Sequence, residues 1–218
     1  MRRFSSLVVA AAALSLASLS YAAPAASPTK WMDLAKAGTP LYATIDTSMG
    51  KIVAELDPKI APIAVENFVG LAMGEKEWKT PAGEMVKKPL YEGTTFHRVI
   101  PNFMIQGGDP EGTGMGGPGF NIPDDFPNQH GLTFSKGTLG MARTMAPNSG
   151  GCQFFITVGD AKWLDGQYTV FGHVLTGQDV ADKISLVPRS TPGDKPNTPV
   201  TIKKITITDK APAGTKKK

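Results

Sequence analysis

"FHRVIPNFMIQGG", residues 96–108, sets a single arginine in a run of mostly hydrophobic side chains and ends on a glycine pair. Residues 94–100 and 103–106 are short apolar runs of strand length, with Pro101 in the gap between them. Side chains alternate across a strand, so Phe96, Arg98 and Ile100 are expected on one face and His97 on the other; Met104 and Gln106 should share a face of the next strand. Arginine cannot shed its proton to escape burial. A guanidinium here must be paired, exposed or held for a task.

The same punctuation continues on both sides. Residues 41–56, "LYATIDTSMGKIVAEL", hold two alternating runs with Met49-Gly50 at the bend, a hairpin pattern. From Pro62, Val65, Phe68, Val69 and Ala72 fall at helical spacing; the proline suits a first helical position and Gly74 suits a stop. Residues 76–93, "KEWKTPAGEMVKKPLYEG", are polar and rich in turn residues and read as an inserted loop. Further short runs occupy 138–142, 153–158 and 169–175, followed by a helical pattern over 178–186 and a closing strand over 200–208. Many short strands with glycine turns and two helices indicate a mainly β fold, a sandwich or a closed barrel with helices at its ends.

The chain has 218 residues, enough for one domain with a full core, over residues 41–209. Its formal charge of +4 includes Arg2, Arg3 and the terminal Lys216, Lys217 and Lys218, so the body is close to neutral. No clustered basic face suited to nucleic acid is visible. Residues 1–22 read as a cleaved secretory signal: paired arginines, an apolar stretch from Leu7 to Leu19, and small residues before a cut after Ala22. That stretch is short of the roughly 20 residues of a spanning helix, so stable membrane insertion is not expected. The mature protein is placed outside the cytoplasm, in the periplasm, with secretion as the alternative. Residues 23–40, rich in Ala, Pro and Ser, read as a linker in which Trp31 is free to dock, and 210–218 as a disordered basic tail. Cys152 is the only cysteine, so no internal disulfide is available; with His97, His130 and His173 scattered, no metal-ligand spacing is present. Asp109, Glu111, Asp124 and Asp125 follow no calcium-loop pattern and read as solvated loop carboxylates.

On strand alternation, Gln153 and Phe155 share a face opposite Phe154 and Ile156. If the strands are neighbours, Arg98, Gln106 and Gln153 lie among Phe103, Met104 and Phe155, an arrangement suited to a binding site. "FHRVIPNFMIQGGD" (96–109), "GTGMGGPG" (112–119), "GTLGMA" (137–142), "GGCQFFIT" (150–157) and "WLDGQYTVFGHV" (163–174) together resemble the cyclophilin family of peptidyl-prolyl cis/trans isomerases, in order and separation. The resemblance runs from about Leu41 to Thr208. It implies a closed eight-stranded antiparallel β-barrel capped by two α-helices, with the site on its outer face. It also implies an activity needing no cofactor, proline-containing polypeptides as substrates and cyclosporin-type ligands as a further class; a monomer is the expectation, and the spacing above gives no metal.

By that resemblance Arg98 is the catalytic arginine; Phe103, Met104, Phe155 and Leu164 line the proline pocket; Gln106 and Gln153 hold the substrate backbone. Ala142 supplies main-chain contacts, and Trp163 sits where the family meets cyclosporin-type ligands. Tyr168 stands where many eukaryotic members carry histidine. "ARTMAPNSGG" (142–151) replaces a shorter Ala-Asn-Ala-Gly stretch familiar from those eukaryotic members, so Arg143 and Thr144 receive no peptide-binding role.

An amide resists rotation by about 18–20 kcal/mol because nitrogen shares its lone pair with the carbonyl. In the twisted transition state that sharing is lost and the prolyl nitrogen can accept a hydrogen bond. A donor aimed at the nitrogen therefore favours the transition state over both planar states. A fixed guanidinium can supply it without any proton leaving the protein, so the rate is expected to be flat from about pH 6 to about pH 9. The rival reading is a binding module that holds proline-containing segments without catalysis. Cys152, with no histidine nearby in sequence, reads as a packed thiol and not as a hydrolase nucleophile.

Overall fold

Leu41–Thr47 (β1) and Gly50–Leu56 (β2) pair antiparallel from Leu41↔Leu56 to Thr47↔Gly50, in a computed structural model that describes residues 30–126 and 131–215. The export signal read at 1–22, residues 23–29, His130 and Lys216–Lys218 lie outside the described residues. Thr47 secures the turn: its hydroxyl donates to the Gly50 carbonyl at 2.7 Å and accepts from the Met49 amide at 3.0 Å. Pro62–Met73 (α2) follows, stopped by Gly74 in the left-handed region at φ 69°. Ala61 offers no side-chain cap to α2; the carboxylate of Asp125, distant in sequence, accepts the Ala64 amide at 2.9 Å instead.

The inserted segment carries regular structure of its own: Trp78–Lys79 (β3) pairs with Met85–Val86 (β4) in a separate two-stranded ladder. Two-residue strands are too short for alternation to register in sequence. Thr95–Ile100 (β5), Met104–Asp109 (β6), Thr138–Met141 (β7), Phe154–Thr157 (β8), Val170–Thr176 (β9) and Ile202–Thr208 (β10) complete the structure with Gln178–Ser185 (α3). Eight strands form one antiparallel sheet in the order β10-β1-β2-β9-β7-β8-β6-β5. Its two edge strands meet along a short seam, where the Phe96 amide reaches the Val200 carbonyl at 2.9 Å and the Ile202 amide reaches the Thr94 carbonyl at 2.8 Å.

Inward side chains of the sheet and the buried face of α2 fill one core. Phe68 of α2 packs against Tyr91, Phe154 and Phe171, with ring centroids 5.1–5.4 Å apart. Part of the segment read as a linker belongs to this core. Lys30–Lys36 (α1) docks on α2, burying Ala35 and resting Trp31, Met32 and Leu34 against the cluster. The Glu75 carboxylate accepts the Trp31 and Met32 amides at 3.0–3.1 Å, placing negative charge at the helix N-terminus. The Ala, Pro and Ser content of the preceding residues hid this third helix.

Strict alternation fails in the decisive stretch. Phe96 pairs with Gly107 and Arg98 with Gln106, so His97 is an extra residue, and Gly108 is extra on the facing strand between the Phe96 and Thr95 pairs. Phe96 therefore enters the core, while Arg98 faces the outer cavity. The expectation that Phe96 and Arg98 share a face is overturned. Gly108 holds φ 86°, and a Cβ there would press on the Cys152 carbonyl and the Phe154 and Tyr91 rings. This is the task of the second glycine of the pair that closes the stretch.

Candidate active site

The bulge turns Arg98 out of the barrel interior and over a cavity of about 100 Å³. Among the described residues no hydrogen bond or ion pair engages its guanidinium, although the side chain is only partly exposed. The cavity's apolar lining comes from separate elements: Met104 from β6, Phe155 from β8, Phe103 from the β5–β6 turn, and Leu164 and Tyr168 from the segment before β9. Met104, Phe155 and Leu164 are buried, and with Phe134 and Ala161 they form a second apolar cluster outside the main core. The Phe155 ring stacks on Phe134 at 5.4 Å and meets Tyr168 edge-on at 6.0 Å. Gly140 of β7 makes this possible, because a Cβ there would occupy the space of the Phe155 and Phe134 rings.

Gln106 and Ala142 also line the cavity, and Gln106 joins it to Gln153 by an amide hydrogen bond of 2.9 Å. Gln153 borders a neighbouring cavity of about 450 Å³, which shares Gln106, Ala142 and Arg143 with the first. Its own amide donates to the Gly114 and Gly116 carbonyls at 3.1 and 2.9 Å, tying the glycine loop to the site. Trp163 stands outside the cavity at its rim: it is 60% exposed, with its ring 5.4 Å from Phe103. The sequence-read residues are thus brought to one surface, with Gln153 and Trp163 at its borders.

The glycine loop is organised by Asp109, 1% exposed and not the solvated carboxylate read from sequence. Its oxygens accept the amides of Glu111, Thr113, Gly114 and Gly116 at 2.6–3.2 Å. Burial alone would raise its pKa; these amides outweigh that and hold it below the ordinary carboxylate value. Asp125, 5% exposed, is likewise no solvated group, and burial raises its pKa despite the Ala64 amide. Amide donors left over by a loop and a helix end demand an acceptor that sequence spacing does not reveal.

His97 stays out of the cavity that Arg98 lines, as the sequence reading has it, although a bulge and not plain alternation places it, and it lies against Gly114 of the glycine loop. Both ring nitrogens are buried without a hydrogen-bond partner. Burial lowers its pKa, opposed by Asp109 and assisted by Lys195 and Arg98. Cys152 is 1% exposed, and burial pushes its thiol up to about 12, so it supplies no nucleophile near neutral pH. Arg143, given no role from sequence, lines the cavity beside Tyr168. No periodicity exposes a loop residue whose position depends on three separated segments. Among the described residues no cluster of His, Cys, Asp and Glu could hold a metal ion, and no helix is long and apolar enough to cross a membrane.

The arrangement joins an apolar cradle, an unpaired guanidinium and a pair of linked amides, with neither a nucleophile nor a titrating base in the cavity. Residues 42–207 match the sequence profile of the family described as "Cyclophilin type peptidyl-prolyl cis-trans isomerase/CLD". Among curated relatives, peptidyl-prolyl cis-trans isomerase B of Streptomyces anulatus is 45% identical over 170 residues, 77% of this chain and 96% of that one. The probable peptidyl-prolyl cis-trans isomerase A of Mycobacterium leprae is 46% identical over 169 residues, covering 76% and 91%. Among solved structures, a Cryptosporidium parvum cyclophilin type peptidyl-prolyl cis-trans isomerase crystallised in the presence of the dipeptide Ala-Pro aligns with a TM-score of 0.64 at 32% identity, covering 77% of this chain and 98% of that one. Fold, cavity and sequence agree, and the chain belongs to the cyclophilin-type peptidyl-prolyl cis-trans isomerase family.

Proposed function

We propose that the protein catalyses rotation about X-Pro bonds by donating a hydrogen bond from Arg98 to the prolyl nitrogen while the apolar cavity holds the proline ring. The carrying observation is the unpaired, partly buried guanidinium at the edge of a cavity lined by Phe103, Met104, Phe155, Leu164 and Tyr168. A guanidinium that commits no hydrogen bond or ion pair to the fold keeps its donors available for a ligand in the cavity. The Ala-Pro dipeptide named with the Cryptosporidium structure supports a proline-containing ligand. Gln106 donates to Gln153 and keeps its own amide oxygen free to accept a substrate N–H. The peptide N-terminal to proline then lies over Gln106, Ala142 and Gln153 toward the larger cavity.

A positioned donor of this kind lowers a barrier by about 3–4 kcal/mol in a site that excludes water. The clients are exported polypeptides, because residues 1–22 carry the features of a secretory signal, and the working compartment is the periplasm. A coupled isomerisation assay on the mature chain, across a panel of residues before proline, tests the reading. Acceleration by the parent and its loss in Arg98→Ala support it. Peptide binding without acceleration would make the protein a binding module for proline-containing segments.

A further inference from the structure

The 142–151 loop supplies a side chain tying together three segments around the cavity. The Arg143 side chain is 14% exposed, and its Nε and Nη2 both donate to the Gln167 carbonyl, at 2.9 and 2.6 Å. Its Nη1 donates to the carbonyls of Thr144 and Ala146 at 3.1 and 3.3 Å, closing its own loop. The guanidinium carbon lies 5.1 Å from the Tyr168 ring centroid and 5.3 Å from that of Phe126. Asp124 sits 4.0 Å from Nε, and its other oxygen accepts the Asn148 amide at 2.8 Å, so the 124–126 turn is joined to the same loop.

These contacts converge on Tyr168, whose hydroxyl has no hydrogen-bond partner among the described residues. Its backbone is fixed through the Gln167 carbonyl and its ring through the guanidinium face and the edge of Phe155. We propose that Arg143 is a positioning residue: it fixes the Tyr168 wall of the proline cavity and thereby sets affinity for the proline ring, without acting on the rotating bond. A planar fork is required, because two donors must reach one carbonyl while the flat face stays against the rings. This inference rests on the isomerase reading above for its substrate.

The test uses Arg143→Ala and Arg143→Lys in the full mature chain, with exchange NMR on an Ala-Pro tetrapeptide up to saturation. In parallel, protein labelled with 3-fluorotyrosine is followed by fluorine NMR, Tyr168 being assigned through Tyr168→Phe. Arg143→Ala is expected to raise KM about tenfold with kcat within about twofold, and to shift or broaden the Tyr168 resonance alone. Lysine should restore little, since it keeps the charge and loses the fork. Three results would overturn the proposal: an unchanged KM, a raised KM with the Tyr168 signal unmoved, or a kcat falling in step with the folded fraction at constant KM. Should the alanine variant not fold, Arg143→Lys is read by the same criteria. If the parent itself fails to catalyse exchange, the isomerase reading falls, while peptide Kd and the Tyr168 signal still decide the role of Arg143.

Discussion

At the scale of residues, Arg98 and His97 show what a sequence states and what it conceals. That a permanent cation inside an apolar run needs a reason is legible from side-chain chemistry alone. Which way it points is not, because the extra residue at His97 breaks the period of two on which the expectation relied. The same bulge buries His97 against the glycine loop with both nitrogens unpartnered, facing Asp109 and Lys195 beyond its neighbour Arg98. Its pKa is lowered from 6.5, by burial first, so the folded protein binds that proton less tightly than the unfolded chain. The neutral imidazole therefore contributes stability that is fully present above about pH 6.5 and is lost as pH falls through the lowered folded value. Melting temperature should drop between about pH 7 and pH 5 in the parent and drop less in His97→Gln. Equal slopes in the two proteins would show that His97 takes no part. Asp109, also held below its ordinary value, acts only in a more acidic window and does not confuse the comparison.

Elements fixed by local pattern were readable, and elements fixed by distant partners were not. The β1–β2 hairpin, α2 with its proline entry and glycine exit, and α3 all follow from spacing within one segment. The α1 helix depends on docking to α2 and on Glu75, and the β3–β4 ladder is two residues deep, so neither leaves a periodic trace. Within the site, Met104 and Gln106 on β6 and Phe155 on β8 were legible because strand alternation carries them to one surface, whereas Arg98 reaches it through the bulge on β5 and Arg143 acts through carbonyls and rings from other segments. The floor of the cavity gives an element-level prediction. Gly140→Ala would drive a methyl into the Phe155 and Phe134 rings, and overpacking of this kind costs about 1–3 kcal/mol. A lower denaturant midpoint together with weaker proline-peptide binding is expected. An unchanged midpoint and Kd would mean that Phe155 relaxes freely and is no rigid floor.

For the whole molecule, stability rests on packing around the Phe68, Tyr91, Phe154 and Phe171 cluster, since the only cysteine leaves no internal disulfide. Cys152 lies within that core, with its carbonyl accepting the Tyr91 hydroxyl at 3.0 Å and its thiol pushed up to about 12. Reductant should leave the melting temperature unchanged, and iodoacetamide at about pH 8 should label Cys152 only as fast as the chain unfolds. Rapid labelling of the native protein would contradict the packing described. The same rigid barrel is what holds Arg98 over its cavity without a counter-ion, so the guanidinium should matter to the reaction far more than to the fold. The most direct measurement is kcat at saturating Ala-Pro peptide by exchange NMR, for the parent and Arg98→Ala, with thermal unfolding of both recorded alongside. The account predicts a fall in kcat of roughly 10²–10³-fold at nearly unchanged melting temperature; an alanine variant that keeps the parent's kcat would contradict it.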